Sequence, residues 1–166
     1  MLKQNTFFRR LLAISLAVIM AMSAAPMTAF AEENPAYDLT AIITSIESST
    51  NSGTGWSHAN NIITFSEAGA ITISGTASGY SVVVSNSTNI TLAAGTSITG
   101  KNQYAALTVP GGATITGGGA SVNITGGTSN HDTTLGNAIQ SNGAITLAGE
   151  FGAITDRKST RLNSSH

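Results

Sequence analysis

The chain has 166 residues, of which 41% are hydrophobic, 9% charged and 5% aromatic, with 18 Gly, no Cys and a formal net charge of −1. The lack of Cys excludes disulfides, thiolate zinc sites and a lipid-anchoring cysteine. Six of the seven bases lie in the two terminal segments; residues 32–155 set Lys101 against Glu32, Glu33, Asp38, Glu47, Glu67, Asp132 and Glu150, a net charge of −6 that disfavours nucleic acid and anionic lipid as partners.

In chain order, Lys3, Arg9 and Arg10 precede the apolar run from Leu11 to Ala25, which is shorter than the roughly 20 residues a membrane-spanning helix needs. Ala29-Phe30-Ala31 then supplies a small-x-small cleavage site before Glu32. This pattern predicts a helical secretory signal peptide over residues 1–31, cleaved at Ala29, Ala31 and Glu32, and a secreted product with no membrane association once the leader is gone. Residues 32–55 read as a polar lead-in, with a short helix or strand at Leu39–Ile46.

From Ile62 the composition narrows to Gly, Ala, Ser, Thr, Asn, Ile, Val and Leu. Short β-branched runs alternate with turn residues: IITF (62–65), AITISG (70–75), SVVVSN (81–86), NITLAAG (89–95), AALTVPGG (105–112), ATITGGG (113–119), SVNITGG (121–127) and AITLAG (144–149). Period-2 alternation over so few residues predicts strands. The runs also repeat. Ile71/Ile73 returns as Ile90/Leu92, Val122/Ile124 as Ile145/Leu147, and LTVPGGATITGGG (107–119) as IQSNGAITLAG (139–149), with VSNSTNITLAAG (84–95) a looser third copy. Imperfect repeats of about 20 residues built from short strands predict a right-handed parallel β-helix, in which each coil covers its apolar face with its neighbours. A low-complexity linker would not keep Ile, Val and Leu in phase, and a β-sandwich is the rival architecture. The Gly excess favours the β-helix, because its tight corners need positive φ; the GG pairs and Gly117–Gly119 read as such corners.

The stretch from Gly55-Trp56 through NIITF, AITISG, SVVVSNSTNITL and ITGGG resembles the N-terminal β-helix of large secreted surface proteins of gut Clostridia and relatives. The resemblance covers roughly residues 53–155 and implies an adhesin-like or carbohydrate-binding module. The chain is similar, more loosely, to calcium-dependent carbohydrate-binding β-helix proteins of cellulolytic bacteria. Those carry acidic residues at coil corners, which this chain mostly lacks, so calcium is not expected.

Ionisable groups are too sparse to predict catalysis. Between Ile62 and Thr155 the acids are Glu67, Asp132 and Glu150, far apart in sequence, whereas glycoside cleavage needs paired carboxylates. His131-Asp132 and His58 both read as turn residues, not metal ligands. No metal or other cofactor is expected. The candidate ligand-binding residues are Trp56, Tyr80 and Tyr104, whose rings can stack on sugars; the competing reading has Trp56 capping an open coil end and the tyrosines packing at corners. Stacked outward Thr rows bind ice in some proteins, but here Thr72, Thr91 and Thr146 are single positions and Thr114/Thr116 the one T-x-T pair.

Finally, Asp156–His166 holds three of the seven bases and, reverse-translated, resembles the start of a common short-read sequencing adapter. The natural sequence is therefore expected to break off at about Thr155. The reading is a signal peptide (1–31), a polar lead-in (32–55), a partial right-handed β-helix (56–155) and an adapter-derived tail (156–166). The expected function is a non-catalytic extracellular module of a bacterial surface protein that adheres to, or binds, polysaccharide or cell-surface glycan. The alternative is the N-terminal fragment of a β-helix polysaccharide-degrading enzyme whose active site lies downstream.

Overall fold

A computed structural model describes residues 34–128 and 136–157. The expected signal peptide with Ala29, Ala31 and Glu32, the His131-Asp132 pair, and the tail beyond residue 157 lie outside them. The described chain is mostly β, with one short helix.

Three sheets carry the fold. The first contains β2 (Ser52–Gly53), β3 (Trp56–Ala59), β4 (Ile62–Phe65), β7 (Ser81–Val84), β10 (Leu107–Thr108) and β13 (Ile139–Gln140). The second contains β1 (Ala36–Asp38), β5 (Gly69–Ser74), β8 (Ser87–Leu92), β11 (Ala113–Gly118) and β14 (Ile145–Glu150). The third contains β6 (Thr76–Ser78), β9 (Ser97–Thr99), β12 (Asn123–Thr125) and β15 (Ala153–Thr155). From β4 onward the chain visits first, second and third sheet in turn, and does so four times. Every neighbouring pair from β4 onward within a sheet is parallel.

Register follows from alternation. In the second sheet Ile71, Ile90, Ile115 and Leu147 stand in one column. In the first, Ile63, Val82, Leu107 and Ile139 do so, and in the third Ala77, Ile98, Ile124 and Ile154. Because successive side chains point to opposite faces, a slip of one residue would expose a whole column, so the apolar pattern fixes the register. The inward residues of all three sheets meet in one core cluster. Each fully buried aliphatic side chain there contributes roughly 1.5–3 kcal/mol.

Two sequence expectations are corrected. Val122/Ile124 does not repeat as Ile145/Leu147: Ile124 lies in the third sheet opposite Ile98 and Ile154, while Leu147 lies in the second opposite Ile115. The two triplets look alike because both are inward-outward-inward strands, but they occupy different sheets. Nor are Gly117 and Gly118 corners. Both lie within β11, where a Cβ would run into the Glu150 carbonyl and the backbone at Leu92–Ala94. The other repeat pairings hold, with Ile71 on Ile90 and Leu107 on Ile139.

Outward Thr residues form a short column, Thr72–Thr91–Thr116, that ends at Ala148. Thr146 belongs to the neighbouring column with Thr114 and Asn89, so no regular double row of T-x-T arises.

The lead-in contributes to the core. Tyr37 on β1 pairs with Ile73, and helix α1 (Leu39–Glu47) buries Leu39 and Ile42. Leu39, Ile42, Ile43 and Ile46 recur at i, i+3, i+4 and i+7, which lines one face of a helix. Asp38 caps it by accepting from the Thr40 N–H at 2.9 Å. A helix cannot pair with the edge of β6, but the Thr40 hydroxyl accepts the Thr76 N–H at 2.9 Å in place of a strand. Gly75, at φ 80°, leaves room for this contact, since a Cβ there would strike the Asp38 carboxylate and the Thr40 hydroxyl. Beyond β4 the sheet reverses: β3 pairs antiparallel to β4 through a two-residue turn, Asn60-Asn61, with positive φ at both positions.

Candidate functional site

Chain circuits differ mainly at one corner, the return from the third sheet to the first. It takes residues 79–80 in the first return, 100–106 in the second and 126–138 in the third. Insertions in repeat architectures gather on one face, often the binding face. Here the lengthening corner also gathers the side chains with recognition chemistry: Tyr80, Lys101 and Tyr104.

The second return holds the most built arrangement. Residues 101–104 form a turn in which the Tyr104 N–H donates to the Lys101 carbonyl at 3.0 Å. Gln103 occupies the third position at φ 69°, a conformation that Gly or Asn adopts far more cheaply. Its N–H donates to the Thr128 carbonyl at 2.9 Å, and the Thr128 hydroxyl donates to Asn102 Oδ1, so the next return holds the turn in place. Local strain of about 1–3 kcal/mol, kept by surrounding contacts, is a mark of functional segments. A turn brings its first and fourth residues together, and the Lys101 Nζ stands 4.3 Å from the Tyr104 ring centroid, within cation–π range.

Three further contacts fix Lys101. Its backbone N–H donates to the Ser81 hydroxyl at 3.2 Å, its ammonium donates to the Asn60 carbonyl at 2.7 Å, and its carbonyl lies so close to Gly127 that a Cβ there would collide with it. Tyr104 remains 44% exposed.

The three aromatics of the sequence analysis separate. Trp56 lies opposite Phe65, hence on the inward face of β3, half-buried against the core, with Gly53 beneath its indole. Its packing is that of a cover over the first circuit. Tyr80 is half-buried and packs on His58, ring centroids 5.8 Å apart. Tyr104 alone presents its ring on the surface at the longer corner.

Lys101 is the residue that the search for aromatics missed. It is the one base of residues 32–155, and its spacing of three from Tyr104 across the turn sequence KNQY was the available signal. His58 shares the inward face of β3 and places Nδ1 3.2 Å from Asn51 Oδ1. Its Nε2 is buried without a hydrogen-bond partner among the described residues.

The carboxylates are dispersed. Glu67, next to β5, stands beside Tyr37; burial first, then the charge and hydrogen bond of Glu67, raise the pKa of the Tyr37 phenol above 10.0. Glu150 ends β14, three strand spacings across the sheet and at the opposite strand end, so the two stand more than about 14 Å apart. Glycosidase carboxylate pairs stand within about 9.5 Å. Among the described residues no cluster of three or more His, Asp or Glu side chains could hold a metal, and no helix is long and apolar enough to cross a membrane. No known family model matches the chain, and neither a curated protein nor a solved structure matches it.

Proposed function

We propose that the chain forms a right-handed parallel β-helix, exported and displayed on a bacterial cell surface, where it serves as a non-catalytic module that adheres to or binds glycan. Four passes through three sheets whose strands from β4 onward pair in parallel support the coil architecture. Parallel strands linked by crossovers are right-handed in about 98% of cases, which supports the hand. The resemblance to secreted surface proteins of gut Clostridia supports the setting.

The observation that carries the binding function is the corner of increasing length with Tyr104 at its surface, held beside Lys101. An aromatic ring with a polar edge suits the C–H face and hydroxyls of a sugar. Held in a strained turn, it loses little further freedom on binding.

A glycan array probed with the secreted chain tests this. The expected result is retention on at least one polysaccharide, lost in Tyr104→Ala with the circular dichroism unchanged. A silent array, with depletion of a polysaccharide by the longer parent protein, favours the enzyme fragment. Amino-terminal sequencing of the exported product should begin at Glu32.

A further inference from the structure

We propose that the Lys101–Tyr104 turn is a subsite for a sugar that carries a carboxylate, such as a uronic acid; this rests on the glycan-binding reading above and narrows it. A ledge for neutral sugars needs only a ring and amides. Here an ammonium covers the Tyr104 ring at 4.3 Å, so a sugar meeting the exposed part of that ring has a positive charge at its border.

Placement makes the charge usable. The Asn60 carbonyl takes one ammonium N–H at 2.7 Å and the ring attracts the cation, which leaves donors for a ligand oxygen. The side chain is already held by both contacts, so less of its conformational entropy is lost on binding.

Within the turn and its flanks, residues 100–106, Lys101 is the one charged residue. The acids described before this turn, Asp38, Glu47 and Glu67, belong to the lead-in and to the first circuit before β5. Asp156, which accepts from the Ala138 N–H at 2.7 Å, and Arg157, whose N–H donates to the Gly136 carbonyl at 3.0 Å, both reach this corner one circuit further on. With a net charge of −6 over residues 32–155, a highly charged polyanion is repelled at long range. One carboxylate set in an otherwise neutral glycan meets that field with a single charge, and screening weakens the field beyond about 8 Å at physiological salt.

The test is calorimetric titration of the full chain with a short uronate oligosaccharide, its carboxyl-reduced neutral counterpart and a sulfated neutral oligosaccharide. The uronate should bind about tenfold more tightly than the reduced sugar, in line with a hydrogen bond to a charged group. Lys101→Gln should bring the uronate to the level of the reduced sugar, Lys101→Arg should keep most of the difference, and Tyr104→Ala should weaken both sugars. Equal binding of uronate and reduced sugar, unchanged in Lys101→Gln, overturns the carboxylate subsite and leaves the glycan-binding reading standing. Equal binding of the sulfated sugar replaces carboxylate recognition by charge alone and also overturns it. Binding of none of the three overturns the subsite, and a silent array in addition overturns the glycan reading.

Discussion

At the N-terminal end of the stack, the edge of β5 is paired by β1, that of β4 by β3, and that of β6 is met by a helix and a threonine hydroxyl. Tyr37, Leu39 and Ile42 bury themselves over the first circuit, and the Tyr37 ring packs on Phe65 with centroids 4.4 Å apart. At the other end β13, β14 and β15 are the last described strands of their sheets, and Leu147 and Ile154 are exposed in columns that are buried one circuit earlier. The residue types differ little between Ile115 and Leu147. What differs is that Ile115 is followed by another circuit among the described residues and Leu147 is not. In a stack where each layer touches only its neighbours, stability is a sum of layer and interface terms, so one open end loses an interface without unmaking the rest.

Substitutions within one column sharpen this contrast most. Ile115→Ala should cost about 2–5 kcal/mol, as cavities in closed cores do, whereas Leu147→Ala, half-exposed already, should cost less than half as much. Equal costs in denaturant titrations would mean that the final circuit is covered.

The cover itself comes next. Trp56→Ala should cost about 2 kcal/mol, roughly half of the loss for a fully buried Trp, and leave glycan affinity unchanged. Tyr104→Ala should do the reverse, because its ring is surface-exposed. A Trp56 variant that lost binding with its melting temperature intact would move the contact face to the closed end.

Asp38→Ala removes the helix cap and should cost about 1 kcal/mol. A loss near zero would show that α1 is held by Leu39 and Ile42 alone.

The smallest effect is one of pH. The Tyr37 phenol binds its proton more tightly in the folded state, so its contribution is intact below pH 10.0 and is lost as pH rises through the raised folded value. Stability should therefore fall above pH 10.0, and Tyr37→Phe should flatten that fall. An unchanged alkaline slope in the variant would place the sensitivity elsewhere.

Much of the second sheet was legible in the sequence, because strands such as Ala113–Gly118 carry the inward pair or its glycine replacement with clear alternation. The third sheet was harder. Its strands are three residues long with one inward residue each, Ala77, Ile98, Ile124 and Ile154, and one residue carries no periodicity. Repeat phase failed at Val122/Ile124 because the corners at 100–106 and 126–138 lengthen the later circuits, so equal motifs no longer mean equal positions. In the lead-in, Asp38 followed by Leu39, Ile42, Ile43 and Ile46 carried enough pattern to choose helix over strand. The site was legible only in part. Tyr104 was visible as an aromatic and Lys101 as a lone base. Their meeting depends on Gln103 taking positive φ, which nothing in a Gln side chain announces.

Hydrogen exchange read peptide by peptide tests the central contrast most directly. Exchange should be slowest in β5, β8 and β11, measurably slowed in β1 by its pairing with β5, and fast in β13, β14 and β15. Protection of β14 equal to that of β11, or loss of β1 and α1 before the last described circuit, would contradict a stack covered over its first circuit and uncovered, among the described residues, over its last.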